Sequence, residues 1–261
     1  MAKLHPAAIW GLVKEARTML EDDRPLLVTG ALAETLEQEL ARGGSAGAVT
    51  SRGSAEHAAG LVRVLAGRPN EDDVEALRAA NRAGVPVIAV QTGMERFDVP
   101  YVLATDVAAC APAPGTGFPV EEIARVLAVR LGESATPLAA RLPVLRDPVC
   151  DALIESFSRK NGVLGAAIFI PGADFPVLTL NQVRLVLRLA SAHGIEIDQQ
   201  RLPDVLGTVA TGFGLRAVAR QLLGAVPIAG WVLKGGVAYA GTRAVGEAAR
   251  RYFAAAADSA P

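Results

Sequence analysis

Cysteine is scarce: the 261-residue chain has two, Cys110 and Cys150. That number and spacing exclude a disulfide framework and a cysteine-based metal or redox motif. Both read as small buried hydrophobes in a reducing compartment. The three histidines, His5, His57 and His193, have no His or Cys at ligand spacing, so no metal is expected. No serine occupies a G-x-S-x-G elbow, and paired acids such as Asp72 and Asp73 are neighbours that a helix points in different directions. No catalytic residue and no cofactor are therefore expected. A long uncharged run is missing too. Beside the most apolar segments the longest are Asn161–Ala173 and Gln221–Leu233, each 13 residues, whereas a spanning helix needs roughly 20. Extending the second to Thr242 brings in Lys234, which costs about 2.5–3.5 kcal/mol at a bilayer centre.

What remains is apolar and glycine-rich. Half the chain (51%) is hydrophobic, with only 5% aromatic residues. That excludes a disordered chain, which is poor in apolar residues and rich in net charge. The net charge of −1 gives no general attraction to nucleic acid. The two halves differ, however. Residues 1–139 carry 13 basic and 18 acidic side chains, and residues 140–261 carry 13 and 9. The basic half suits an anionic membrane surface or an acidic partner.

The N-terminus has apolar residues at helical spacing (Ile9, Leu12, Val13, Ala16, Met19, Leu20), and charges at Lys14, Glu15 and Arg17 interrupt any secretory h-region. It predicts an amphipathic helix. Strands are expected at Leu26–Thr29, Gly47–Thr50, Leu61–Ala66, Val85–Val90 and Val107–Ala111. Helices are expected at Ala31–Ala41, from the Asn70 cap to Asn81, at Pro100–Thr105 and at Val120–Leu131. This alternation implies an α/β domain with a parallel sheet over residues 1–135. Ser134–Pro143 reads as a linker.

Residues 140–261 read as an all-α domain of helical hairpins. Helices are expected at Asp147–Lys160, with Asp147 as cap and Pro148 in the first turn, and at Leu180–Ala192, opened by a capping box from Thr179 to Gln182. Further helices are expected at Pro203–Gly212, Leu215–Leu223 and Gly230–Phe253. The apolar run Val163–Ile170 and the Gly/Pro-broken segment around Trp231 predict surfaces buried against a partner or lipid. Ile168, Phe169, Trp231, Val232 and Lys234 are the candidate contact residues. Asp174, Thr179, Asn181 and Gln182 are candidate structural polar residues.

The strand–Gly–helix unit at Leu26–Leu40 stands where a nucleotide-binding domain keeps its phosphate loop. Counting a Walker A spacing from Gly30, the second glycine, lysine and hydroxyl positions hold Thr35, Leu36 and Glu37, with Glu34 adding charge that repels phosphate. The strand Val85–Val90 is followed by Gln91-Thr92-Gly93-Met94 rather than a guanine-reading Asn-Lys-x-Asp. Residues 24–132 nevertheless resemble an Era-like GTPase domain in element order, which implies a degenerate P-loop fold.

The second domain resembles the YcjF-like family, a bacterial domain of unknown function found fused to or encoded beside GTPases. The segments that carry the resemblance are GADFPVLTLNQ (Gly172–Gln182), SAHG (Ser191–Gly194), VPIAGW (Val226–Trp231) and GTRAVGEAARRYF (Gly241–Phe253). It implies a membrane-associated helical domain without established catalytic residues. The expectation is a non-enzymatic protein on the cytoplasmic side of the cell membrane, peripheral or partly inserted. It would contact inner-face lipids or a GTPase-like partner, and homo-oligomerisation is compatible with it. The alternatives are a soluble regulator of a separate GTPase and an enzyme using an unrecognised nucleotide loop.

Overall fold

A computed structural model describes residues 6–110, 117–167, 175–198, 202–212 and 231–258. The chain divides into two compact units. One is Asp22–Val149; the other joins Met1–Glu21 to Cys150–Pro261.

The first unit holds a five-stranded, all-parallel sheet. Its strands are β1 (Leu26–Gly30), β2 (Val49–Thr50), β3 (Gly60–Leu65), β4 (Val87–Gln91) and β5 (Val107–Ala109), in the order β2-β1-β3-β4-β5. The parallel sheet expected from the alternating pattern is present. The strands are short and rich in Val, Leu and Ala, as sheets covered on both faces require. The register sets Leu27 beside Leu61 and Leu61 beside Val87. These residues pack with Leu65, Ala89, Leu77, Ala80 and Val99 in one core cluster.

Among the described residues, helices α2 (Ala33–Leu40), α3 (Glu71–Arg82), α4 (Val120–Leu131) and α5 (Thr136–Arg141) belong to this unit. Helix α3 begins as its sequence dictates. Asn70 accepts from the Asp73 amide at 2.8 Å, and Asp73 accepts from the Asn70 amide at 2.9 Å, a reciprocal capping box. The other oxygen of Asp73 takes the Arg63 guanidinium at 2.8 and 2.6 Å. One carboxylate thus fixes the start of α3 on the middle of β3.

Two expectations in this unit fail. Pro100–Thr105 is not a helix; it is a turn and bend leading into a 3-10 turn at Ala104–Asp106. Tyr101 there takes a left-handed φ of 66°, which interrupts a helix at once. Ser134–Pro143 is not a linker. It forms a 3-10 turn and α5, with Thr136, Leu138 and Ala139 completely buried. Arg141 then donates to the carbonyls of Asp23 and Arg24 at 2.8 and 2.6 Å, tying α5 to the entry of β1.

The second unit is helical: α1 (Pro6–Leu20), most of α6 (Pro143–Ala167), α7 (Phe175–Ala192), α8 (Leu202–Gly212) and α9 (Trp231–Asp258). Helix α6 starts at Pro143 rather than at an Asp147 cap, and Pro148 lies inside it. Helix α7 starts at Phe175, so Thr179 and Gln182 lie within the helix and form no capping box. The expected helix Leu215–Leu223 lies outside the described residues. Helix α7 is the spine of this unit. Val183, Leu185, Val186, Leu187, Leu189 and Ala190 are all buried, as befits a helix covered on several sides. It runs parallel to α9: Gln182 meets Thr242, and His193 lies against Phe253.

Candidate functional site

In a doubly wound sheet, ligands sit outside the carboxyl ends of the strands where the strand order reverses. Here that place is between β1 and β3, where an open depression is lined by Gly30, Leu32, Glu34, Thr35, Ser51 and Arg52. Gly30 has φ 96°, and a Cβ placed on it would lie 2.2 Å from the Val64 carbonyl oxygen. The Ala31 amide donates to the same carbonyl at 3.0 Å. Only glycine allows so close an approach with a positive φ.

The loops along this edge are capped by side chains of the chain itself. Glu37 accepts from the Ser51 amide at 2.9 Å, and Glu39 accepts from the Phe118 amide at 2.9 Å. Gln91 binds both the carbonyl and the amide of Phe97. The amides of Ser51 and Phe118 are therefore already engaged by carboxylates of α2. Leu36, at the position of a phosphate-loop lysine, is fully buried in the core. Burial in an apolar environment pushes the Cys110 thiol up, with Glu122 and Glu39 adding to the effect, which does not favour a nucleophilic thiolate.

The helical unit holds a polar cluster on otherwise apolar helix faces. Asn161 of α6 and Thr242 of α9 are both fully buried. Asn161 Nδ2 donates to Thr242 Oγ1 at 2.8 Å, and Asn181 Nδ2 donates to Asn161 Oδ1 at 2.8 Å. Gln182 Nε2 approaches Thr242 Oγ1 at 3.4 Å, and that hydroxyl donates to the Ala238 carbonyl at 2.8 Å. Three helices are thereby held in one register. Leaving one such buried group unpaired costs about 1–3 kcal/mol.

Next to this cluster α6 and α9 approach closely. Gly235 faces the Gly162 carbonyl, where an added Cβ would lie 2.8 Å away. On the surface side, Glu155 accepts from Tyr239 at 2.8 Å and pairs with Arg159 at 2.6 Å and Arg243 at 3.2 Å. These bonds, the Tyr239 hydroxyl foremost, hold the Glu155 carboxyl below the usual glutamate range.

The end of this bundle is where α6 stops and α7 and α9 start. There Val163 is 69% exposed and Val177 is 42% exposed. Between them in sequence lies 168–174, Ile-Phe-Ile-Pro-Gly-Ala-Asp. Arg159 and Lys160 are exposed about one turn before Val163.

Of the residues singled out from sequence, Asn181 and Gln182 enter the buried cluster, and Thr179 lies nearby within α7. Ile168, Phe169 and Asp174 lie outside the described residues. Trp231, Val232 and Lys234 open α9, but their side chains are likewise outside the description. Asn161, Thr242, Glu155 and Tyr239 were not foreseen in these roles. A signal was present for two of them, since Asn161 and Thr242 each interrupt an apolar stripe at helical spacing (Ile154, Phe157 and Ala238, Val245, Ala249). The chain matches no protein-family model, no curated protein sequence and no solved structure.

Proposed function

We propose that this is a non-enzymatic protein that docks peripherally on the inner face of the cell membrane. The end of the helical unit makes the contact, and the α/β unit is an interaction platform with a GTPase-like shape and no nucleotide chemistry. The observation that carries the reading is the outward placement of Val163 and Val177 on either side of an apolar connecting sequence. Full burial of a valine contributes about 1.5–3 kcal/mol. Arg159 and Lys160 stand just behind, and each basic residue near an anionic surface adds about 1 kcal/mol.

Among the described residues no helix is long and apolar enough to cross a membrane, so the proposal is for surface docking. The resemblance of residues 140–253 to the YcjF-like family implies the same location. For the α/β unit, the burial of Leu36 where a phosphate loop carries lysine, with Glu34 lining the depression after β1, supports a platform rather than a nucleotide site.

Flotation of the full chain with phosphatidylserine-containing vesicles at low salt tests the reading. The wild type is expected to float, and the double variant Val163→Glu, Val177→Glu to stay in the soluble fraction. A wild type that never floats, or a double variant that floats equally well, overturns it.

A second reading, a soluble regulator of a separate GTPase, draws on Leu32 and Met94. These are 62% and 94% exposed on loops at the carboxyl edge of the sheet, and they would offer an apolar contact to a protein partner.

A further inference from the structure

Strand β5 closes one side of the sheet, with β4 as its neighbour. The Cys110 amide donates to the Gln91 carbonyl at 2.8 Å. By the alternation of a strand, Ala108 also turns its amide and carbonyl to β4, and Val107 and Ala109 turn theirs outward. Among the described residues these outward groups have no hydrogen-bond partner. Proteins commonly blunt such an edge with a charge or a proline. From Val107 to Ala111 the chain has neither.

Helix α4 lies over β4 and β5, and it also packs on the 3-10 turn that precedes β5. Glu122, Val126 and Arg130 form one row along it, four residues apart. Two contacts place this row on the β5 side. Arg130 Nε meets Asp106, just before β5, at 3.2 Å, and the arginine side chain stays 37% exposed. Glu122 stands near Cys110, just after β5; burial first, and then the Glu122 charge, push that thiol up. From Glu122 to Arg130 is about 12 Å of helix, and from Asp106 to Cys110 is about 13 Å of strand. The half-buried Val126 is therefore level with Ala108.

We propose that a second copy of this chain covers the edge, its β5 pairing antiparallel with this one about a twofold axis at Ala108. Val107 of one copy then faces Ala109 of the other, and the outward amides and carbonyls bond to each other. With strands about 4.8 Å apart, each α4 stands about 5 Å from the axis. The two α4 helices are then about 10 Å apart, a helix-packing distance. They run antiparallel, so Val126 meets Val126 and Glu122 faces Arg130 across the axis. The row acid, valine, base is complementary to itself when reversed, and this singles out a second copy as the occupant. The contact belongs to the α/β unit and stands whether or not the protein docks on membranes.

Sedimentation equilibrium of the full chain without lipid tests the proposal. At about 100 μM the wild type is expected at twice the chain mass. Ala109→Pro removes an outward amide that the sheet does not use, and it is expected to give a monomer with unchanged circular dichroism. Glu122→Arg is expected to weaken the dimer about tenfold. Glu121→Arg makes the same charge change on the other side of α4 and is expected to leave the dimer as it is. If Ala109→Pro does not fold, the comparison of Glu122→Arg with Glu121→Arg decides. A monomeric wild type, a folded Ala109→Pro that still dimerises, or equal effects of the two arginine variants overturns the proposal.

Discussion

Leu32 and Gly30 sit two residues apart, both with positive φ, and they respond oppositely to substitution. Leu32 adopts φ 55° at the entry of α2, with its side chain mostly in solvent and no side-chain cap. A left-handed leucine costs roughly 1–2 kcal/mol, and glycine carries no such penalty. Leu32→Gly is therefore expected to raise the stability of the α/β unit by about 1 kcal/mol. Gly30→Ala would press a methyl onto the Val64 carbonyl and is expected to cost about 2–4 kcal/mol. Urea denaturation of the two variants measures both. A neutral Gly30→Ala would show that the turn after β1 can open. The close approach of Gly30 to the Val64 carbonyl was not legible in the sequence. Gly30 alone does not say which carbonyl its Cα will approach.

At the scale of elements, legibility followed local signals. Helix α3 could be read residue by residue, because Asn70 and Asp73 carry the reciprocal cap within one turn. Helix α4 matched its expected span, since Pro119 precedes it, Glu121 and Glu122 fill its first turn and Gly132 ends it. Helix α5 was misread because Pro137 and the small residues around it look like a connector. It is tied down by Arg141 reaching back to Asp23 and Arg24, more than a hundred residues away in sequence. Helix α6 was misread because Pro148 looks like a first-turn proline, yet packing of Leu145, Val149 and Leu153 carries the helix through it, a tertiary override of a local preference.

Helices α6 and α9 are also joined by a titratable contact. The folded Glu155 carboxyl lies below its ordinary range, chiefly through the Tyr239 hydroxyl, with Arg159 and Arg243 contributing. A carboxylate with a depressed folded value stabilises above the unfolded range and loses that contribution as pH falls through the folded value. Exposure of the cluster keeps the effect small. In Tyr239→Phe, NMR titration is expected to show the Glu155 midpoint rising toward the ordinary range. An unmoved midpoint would assign the shift to the arginines instead.

At the scale of the whole molecule, the unit formed by Asp22–Val149 contains its own sheet, covering helices and core. As a separate fragment, residues 22–149 are expected to give one cooperative urea transition and a mixed helix–strand circular dichroism spectrum. A fragment that melts without cooperativity would show that the sheet depends on the rest of the chain. The helical unit has no such contiguity. Its α1 is made first, yet it packs on α7, whose first residue is Phe175. A ribosome adding roughly 5–20 residues per second reaches α7 only after a delay on the order of ten seconds. Through that interval the greasy side of α1 emerges without its mate while the strands of the sheet are being made. An early part of the nascent polypeptide thus waits for a late one, and it is the stretch that a chaperone would have reason to hold.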